Sequence, residues 1–342
     1  MMGRLQGLRA VAAYMVVLFH CFQYLHSTGM GIPRLPAGAA GVDLFFVISG
    51  FIMVHIAGQR ETPAGFAISR IARIVPLYWA ATLAAILVVA IRPWLFQTSL
   101  VTWQTVAASF AFIPAADATG AFTPILQVGW TLNWEMAFYL CFAVSLLAPR
   151  RFQLVSLIAL TLVLFTAGLA APKGSSATFY GRPIVFEFIA GSVLGSALHN
   201  ADIAAWLKRL PAWPLVVVGA LLLVASNFAP ENVWMRPVVF GCPAALIVTG
   251  VVLLDLTHAP LKSGLLPRLG DASYSAYLLH PFFVAILSVV VTRFAGTNPF
   301  SAVIFVVVTL LVTAIASLLS YRFFEIPARN AVRQLYMVKR VQ

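Results

Sequence analysis

Ten apolar stretches follow one another along the chain, separated by short polar connections. Each approaches the roughly 20 residues that an α-helix needs to cross a bilayer core of about 30 Å. Backbone groups in hydrocarbon must be hydrogen-bonded within their own segment, which a helix achieves. The pattern therefore predicts an all-α, polytopic transmembrane helix bundle with about ten spans. The predicted spans lie near residues 8–26, 41–57, 74–92, 130–148, 153–170, 184–199, 214–229, 237–256, 272–293 and 299–321.

One apolar stretch is too short to count as a span. Residues 101–113 lie between Pro93 and Pro114, and a run of this length is typical of an interfacial or re-entrant piece. It belongs to the longest hydrophilic connection, 93–129, which we expect on the extracytoplasmic side. No repeat and no appended soluble domain is evident, so residues 1–342 are predicted to form a single membrane-embedded domain.

The composition supports a membrane protein. Hydrophobic residues make up 61% of the 342 residues and charged residues 9%, and the mean hydropathy is +0.95. Soluble proteins carry about 25% charged residues, so this chain has too few to cover a water-exposed surface. Cys21, Cys141 and Cys242 are far apart in sequence, a spacing that indicates neither a disulfide framework nor a metal site.

The net charge of +12 reflects topology rather than nucleic-acid binding. With an even number of spans and both termini inside, 16 of the 22 basic residues fall on the inner side, as the enrichment of Lys and Arg in cytoplasmic loops requires. Counting 101–113 as a further span would invert every later loop and place the basic C-terminus outside. We therefore expect a multi-pass membrane protein with both termini cytoplasmic.

The first span carries two ionisable residues, which are rare and usually functional inside a membrane. Arg9 and His20 are 11 residues apart, which leaves about 20° between them around a helix and puts His20 ~16 Å above Arg9. The alternative is that His20 only hydrogen-bonds a neighbouring helix. An arginine on the same face at the cytoplasmic end favours a functional histidine.

Two further arginines end the cytoplasmic connection 58–73. Arg70 and Arg73 would face the same way on a helix, and with Arg9 they could form a cluster of guanidinium groups suited to phosphates. Ordinary anchoring by positive residues on the inner side would explain the same pair.

Later spans add polar groups at similar predicted depths. Glu135 lies ~9 Å below the outer end of the fourth span, and Tyr277 and His280 share one face of the ninth with Ser273, His280 being ~12 Å from its inner end. Asp43 lies just inside the outer end of the second span, where an acid also stabilises a helix N-terminus. The depths of Glu135 and His20 predict that the carboxylate pairs with the imidazole.

These motifs together resemble acyltransferase family 3, the membrane O-acyltransferases that modify bacterial exopolysaccharides and lipopolysaccharides. Arg9 and His20 resemble its first-helix motif, 41–51 (GVDLFFVISGF, with Asp43 and Ser49) its second-helix signature, and Arg70 and Arg73 its Arg-x-x-Arg motif. Residues 130–139, 273–280 and 324–327 resemble its later blocks. The motifs occur in order over nearly the whole chain.

The resemblance implies acetyl-CoA, or another acyl-CoA, as a donor held from the cytoplasm. It implies that the acceptor is a sugar hydroxyl of a lipid-linked or nascent polysaccharide on the outer side, with neither metal nor nucleic acid. Such a transfer needs a general base and stabilisation of an oxyanion, and we expect His20 and Glu135 to be catalytic. Arg9, Arg70 and Arg73 would bind the donor, with Asp43, Ser49, Tyr277 and His280 in supporting or substrate-binding roles.

Two alternatives stay open at the level of sequence. Direct transfer to the sugar and a transient acyl-histidine are both compatible with these residues. A proton-coupled transporter or flippase would also carry ionisable groups within ten helices. The cytoplasmic arginines and the lack of a detectable inverted repeat favour the acyltransferase.

Overall fold

The computed structural model describes residues 2–57, 62–92, 101–116, 120–230, 232–259, 261 and 264–338, and all regular secondary structure in these ranges is helical. The α-helices are α1 Gly3–Ser27, α2 Gly41–Ile52, α3 Pro63–Ile91, α4 Trp103–Ala111, α5 Trp130–Ser145, α6 Gln153–Ala170, α7 Val185–Ala197, α8 Ala201–Leu207, α9 Ala212–Ala225, α10 Cys242–Thr257, α11 Leu265–Asp271, α12 Ser273–Ala295, α13 Pro299–Ser320 and α14 Ile326–Val338. Turns of π-helix extend α2 over Met53–Ala57, precede α10 over Pro237–Gly241, and join α13 to α14 over Tyr321–Glu325. The predicted all-α class is confirmed.

A helix is present at each of the ten predicted spans, but not all of them are long. Seven helical segments in the described ranges are long and apolar enough to cross a membrane, and an eighth would be added if the bent pair α8 and α9 formed one span. That pair is bent by 69°. The helices α5 and α7 have 16 and 13 residues, fewer than the roughly 20 that a straight span needs.

The first compact unit comprises residues 1–56 and 186–319. Within it α1 contacts α2, α10, α11 and α12, and α9 packs along α10. Helices α2 and α7 approach closely and run parallel, since a Cβ on Gly191 would lie 1.9 Å from the Val47 carbonyl oxygen and one on Gly195 would lie 2.9 Å from that of Phe51. Glycine at these positions therefore lets the two backbones touch.

The second compact unit comprises residues 57–185 and 320–342. Here α3 contacts α4, α5 and α14, and α5 packs against α6. Phe66 near the start of α3 contacts Phe142 near the end of α5, with ring centroids 4.7 Å apart, and Tyr78 lies against Gly129, just before α5. Helices α3 and α5 are therefore antiparallel.

The connection predicted at 58–73 is largely helical. Residues 58–61 lie outside the described ranges, and α3 begins at Pro63, where Thr62 caps the helix by accepting a hydrogen bond from the Gly65 amide at 3.1 Å. Proline is favoured in the first helical turn and threonine is a good cap. The sequence analysis had placed the start of this helix at residue 74, because it followed hydropathy and not the capping signal.

Candidate active site

Two histidines from distant parts of the chain meet inside the first unit. His20 on α1 and His280 on α12 have ring centroids 5.1 Å apart, with their planes inclined by 34°. His280 is fully buried, whereas His20 is partly exposed. The sequence analysis placed both residues at similar depths, and the structure brings their side chains together.

The ring nitrogens of both histidines are oriented by neighbouring acceptors. The His20 Nδ1 atom lies 3.2 Å from the Gln23 side-chain oxygen, and the His280 Nδ1 atom lies 3.3 Å from the Ala276 carbonyl oxygen. Because both neighbours accept, each Nδ1 carries the proton and each Nε2 keeps its lone pair. The buried His280 Nε2 has no hydrogen-bond partner among the described residues.

Tyr277 of α12 and Ser49 of α2, two further predicted residues, also lie in the first unit. Tyr277 is 6% exposed, and its ring centroid lies 6.0 Å from that of His280 and 6.1 Å from that of Phe45. Pro281, the next residue of α12 after His280, has no N–H to donate within the helix, and the Tyr277 carbonyl interacts with the His280 ring instead. Ser49 is partly buried within α2.

Asp43 forms a two-pronged ion pair with Arg236. The guanidinium donates from Nε to one carboxylate oxygen at 2.9 Å and from Nη2 to the other at 2.7 Å, and Asp43 is fully buried. A third buried group, Glu187 at 2% exposure, interacts electrostatically with Asp43, and neither of its carboxylate oxygens has a hydrogen-bond partner among the described residues. Such bidentate pairing offsets part of the large cost of burying both charges.

Arg9 is nearly buried at the cytoplasmic end predicted for α1. Its exposure is 8%, and its Nη1 donates to the Gln6 side-chain oxygen at 2.9 Å. Gln6 in turn donates to Asp271 at 2.9 Å. Gln6 therefore links Arg9 with Asp271 at the end of α11. The role of Arg9 in donor binding stays a prediction.

The predicted residues of the second unit form their own group. The Arg70 guanidinium carbon lies 5.4 Å from the Phe66 ring centroid and 5.9 Å from that of Tyr139. Tyr139 donates a hydrogen bond to the Glu135 carboxylate, and the charges of Arg70 and Arg73 both act on the Tyr139 hydroxyl. The buried Nε of Arg70 has no acceptor among the described residues.

The structure thus gathers the predicted residues into two groups. His20, Tyr277 and His280 lie together in the first unit, and Arg70, Arg73 and Glu135 in the second. The pairing of Glu135 with His20 joins residues of different units, and it stays a prediction. Asp43 lies in the first unit beside two residues that the sequence analysis did not select, Arg236 and Glu187.

Gln23 is also a residue that the sequence analysis missed. It lies three positions after His20 on α1, where side chains share a face, so the spacing alone could have found it. Arg236 and Glu187 had no such signal, because Arg236 is 193 residues from Asp43. Within the described ranges, no three or more His, Cys, Asp or Glu side chains are grouped so as to hold a metal ion.

A cavity of about 410 Å³ opens beside Gln23 in the first unit. Phe19 and Gln23 of α1 form one wall. The other walls come from residues 34–36 and 39, which precede α2, and from residues 226, 229, 230, 232, 233, 236, 239 and 240, between α9 and α10.

The geometry can be compared with known proteins. The sequence model of an acyltransferase domain, that of acyltransferase family 3, matches residues 2–320. The chain belongs to this family. The match includes both histidines, Glu135 and the arginines of the Arg-x-x-Arg motif, so both groups of residues lie within the acyltransferase domain.

Three relatives show how far the similarity extends. The exopolysaccharide production protein ExoZ of Rhizobium meliloti strain 1021 is 40% identical over 259 residues, 73% of this chain and 78% of that protein. The acyltransferase MdmB of Streptomyces mycarofaciens is 28% identical over 81% of this chain and 77% of its own length. A Staphylococcus aureus (strain MSSA476) protein provisionally named an O-acetyltransferase is 25% identical over 96% of this chain and 57% of its length.

No solved structure matches this chain. The family membership and the apolar helices establish a multi-pass membrane protein that is an acyltransferase. The predicted family is confirmed.

Proposed function

We propose that this protein transfers an acyl group, acetyl in its main reaction, from cytoplasmic acyl-CoA to a sugar hydroxyl of an exopolysaccharide or another cell-surface glycan. The donor would be acetyl-CoA and the acceptor a lipid-linked or nascent polysaccharide. The similarity to an exopolysaccharide production protein at 40% identity supports the acceptor class. The protein would work in the cytoplasmic (inner) membrane of a bacterium.

The contact between His20 and His280 carries this proposal. With its Nδ1 proton held by Gln23, His20 would offer Nε2 to remove the proton of a sugar hydroxyl. The hydroxyl oxygen would attack the thioester carbonyl, the carbon–sulfur bond would break, and the proton would pass to the departing thiolate. His280 packs against the ring and would hold it in position.

The second unit would anchor the donor. Coenzyme A carries several phosphates, and guanidinium groups bind phosphates with strong, directional hydrogen bonds. Arg70 and Arg73 lie one helical turn apart on α3, and the unpartnered Nε of Arg70 is a donor without an acceptor among the described residues. Arg9 would be the third ligand, as the family resemblance implies.

Contacts within the first unit agree with the relative levels that ten spans with both termini cytoplasmic assign to three of its helices. Arg4 at the start of α1 pairs with Asp255 at the end of α10 at 3.4 Å, and the Tyr24 hydroxyl near the end of α1 lies 2.9 Å from that of Thr292 near the end of α12. The proposed topology assigns the first pair to the inner side and the second to the outer side. Both pairs join residues that it places at the same level.

Contacts within the second unit support a re-entrant segment in the extracytoplasmic region 93–129, of which residues 93–100 and 117–119 lie outside the described ranges. Trp79 of α3 donates from its indole nitrogen to the Phe110 carbonyl of α4 at 3.0 Å. Trp79 lies 12 residues, or about 18 Å, before the end of α3. A connection that reached only the surface would contact the end of that helix instead.

A vesicle assay tests the proposed function. Inside-out and right-side-out membrane vesicles containing the full chain would be prepared with radiolabelled acetyl-CoA on one face of the membrane and chemically deacetylated exopolysaccharide from the host strain on the other. We expect alkali-labile acetyl groups on the polymer only where acetyl-CoA reaches the cytoplasmic face, and none in vesicles without the protein. Movement of glycan across the membrane without ester formation would indicate a transporter instead.

A further inference from the structure

The cavity beside Gln23 has the size and lining of a ligand site. Its volume of about 410 Å³ falls in the range of roughly 300–1,000 Å³ that is usual for small-molecule pockets. The walls combine two aromatic rings, Phe19 and Phe240, with the side-chain amides of Gln23 and Asn232. A few polar groups among apolar surfaces are typical of a site that orients an amphipathic ligand.

Gln23 connects this cavity with the proposed base. The residue lines the cavity, is exposed, and places its side-chain oxygen 3.2 Å from the His20 Nδ1 atom. Phe19 and Gln23 are four residues apart on α1 and therefore share a face. A molecule in the cavity is thus separated from the imidazole by one side chain.

Two arginines, Arg34 and Arg236, contribute the charge of the cavity wall. Arg236 lines the cavity, but both of its charged contacts go to the Asp43 carboxylate and a third goes to the Ala39 carbonyl at 3.4 Å. Because the buried carboxylate compensates its charge, Arg236 offers this wall little net attraction for a polyanion such as coenzyme A. Its guanidinium also lies 5.3 Å from the Phe240 ring centroid, which fixes that ring as a flat apolar wall.

We infer that this cavity is a glycan subsite, which receives one sugar ring of the acceptor on the Gln23 side of His20, and that Gln23 is the residue that positions the imidazole. A sugar ring presents an apolar face to aromatic walls and hydroxyls to amides, which matches the lining. The inference rests on the proposed function, because it supplies the acceptor side of that reaction. The topology proposed above places the cavity mouth on the outer side, where the glycan is.

A matched pair of tryptophan substitutions tests the site. Val233 lines the cavity and is 54% exposed, and Val238, five residues on and 59% exposed, does not line it. We expect Val233→Trp to raise the KM for deacetylated exopolysaccharide at least tenfold, with the KM for acetyl-CoA changed less than twofold. Val238→Trp should resemble the wild type.

A measurement independent of turnover separates this inference from the proposed function. Cysteine would be placed at 233 or at 238 in a Cys242→Ala background, and maleimide labelling of each would be followed with and without the deacetylated polymer. Protection at 233 alone would support the glycan site. If the wild type at the same time transferred no acetyl group, the site would stand and the proposed reaction would be contradicted. The proposed glycan site would be contradicted if the wild type transferred acetyl groups without protection at 233. It would also be contradicted if Val233→Trp and Val238→Trp had equal effects on the KM for the polymer.

The role of Gln23 has its own test, made on the full-length protein. Gln23→Leu keeps the size of the side chain but removes the acceptor oxygen, and Gln23→Glu keeps an acceptor there. We expect Gln23→Leu to lower kcat about tenfold, as the loss of one positioning hydrogen bond would, with Gln23→Glu recovering most of it and both KM values little changed. A loss in both variants alike, or a change confined to KM, would contradict a positioning role.

Discussion

The two compact units of the chain carry different kinds of polar chemistry. In the first unit, Asp43 pairs with Arg236 and Arg9 with Gln6, and the central contact is between two imidazole rings, where the buried Nε2 of His280 has no partner among the described residues. In the second unit, Arg70 rests on aromatic rings and has a buried donor that lacks a partner among the described residues. The first arrangement suits proton transfer, and the second suits the binding of an anion.

The two groups also differ in how the chain builds them. His20 and His280 come from opposite ends of the sequence, and Asp43 and Arg236 are 193 residues apart. In the second unit, Tyr139 bonds Glu135 four residues before it, and Arg70 covers Phe66 four residues before it. The first group therefore depends on the packing of several helices, whereas these two pairs of the second are each set by the turn of a single helix, and the contact of Arg70 with Tyr139 joins two helices.

The largest expected effect comes from removing the base in the first unit. His20→Ala should lower acetyl transfer at least ~10³-fold, since general-base catalysis contributes about 10²–10⁴-fold, while coenzyme A affinity stays near that of the wild type. His26→Ala is a matched control, because His26 is an exposed histidine of the same helix whose side chain lies 2.9 Å from the Ile32 carbonyl oxygen. Acetylation of the polymer measured by NMR would check both variants, and full acetylation with His20→Ala would exclude His20 as the base.

The next effect tests whether the second unit also takes part in the chemical step. If Glu135 is the catalytic partner of His20, Glu135→Gln should lower kcat about 10²-fold, because the amide keeps the shape of the carboxylate but loses its charge. Tyr139→Phe is the companion variant, since it removes the hydroxyl that donates to Glu135 and keeps the carboxylate.

A comparison of these two variants decides the role of Glu135. Normal turnover by Glu135→Gln, measured with coenzyme A affinity and thermal stability as controls, would leave the carboxylate with a structural bond only. Equal losses in Glu135→Gln and Tyr139→Phe would assign the effect to their shared hydrogen bond. The second unit would then have no separate acid in the reaction.

The sequence predicted most of the second group and only part of the first, for a physical reason. Hydropathy located a helix at all ten positions, and helical spacing placed Arg70 and Arg73 on one face, as the structure has them in α3. For His20 and His280, the sequence supplied only the depth of each residue in the membrane, which follows from the rise per residue of a helix. Depth does not fix which helices are neighbours, so Arg236 could not be identified as the partner of Asp43.

Helix ends were predicted least well. The helix α3 begins at Pro63, eleven residues before the predicted start, and α5 and α7 are shorter than their predicted spans. Hydropathy marks the apolar part of a helix, whereas capping and packing decide where it begins and ends. The polar first turns of α3, which carry both arginines, were therefore assigned to a connection.

The smallest effect, expected in the second unit, concerns the donor. Arg70→Ala and Arg73→Ala should each weaken coenzyme A binding by roughly 10-fold and at most ~150-fold, since one charge-assisted hydrogen bond is worth about 1.5–3 kcal/mol. Arg151→Ala is the control, because Arg151 belongs to the same unit and lies over an aromatic ring, Phe152, at 4.7 Å, as Arg70 lies over Phe66. Calorimetric titration with coenzyme A at low and high salt would separate a phosphate contact from a change in fold, since a contact between charges weakens as salt rises. If all three variants bound coenzyme A equally well, Arg70 and Arg73 would be topological anchors only. The two units would then differ in how their polar residues pack, and not in which ligand they bind.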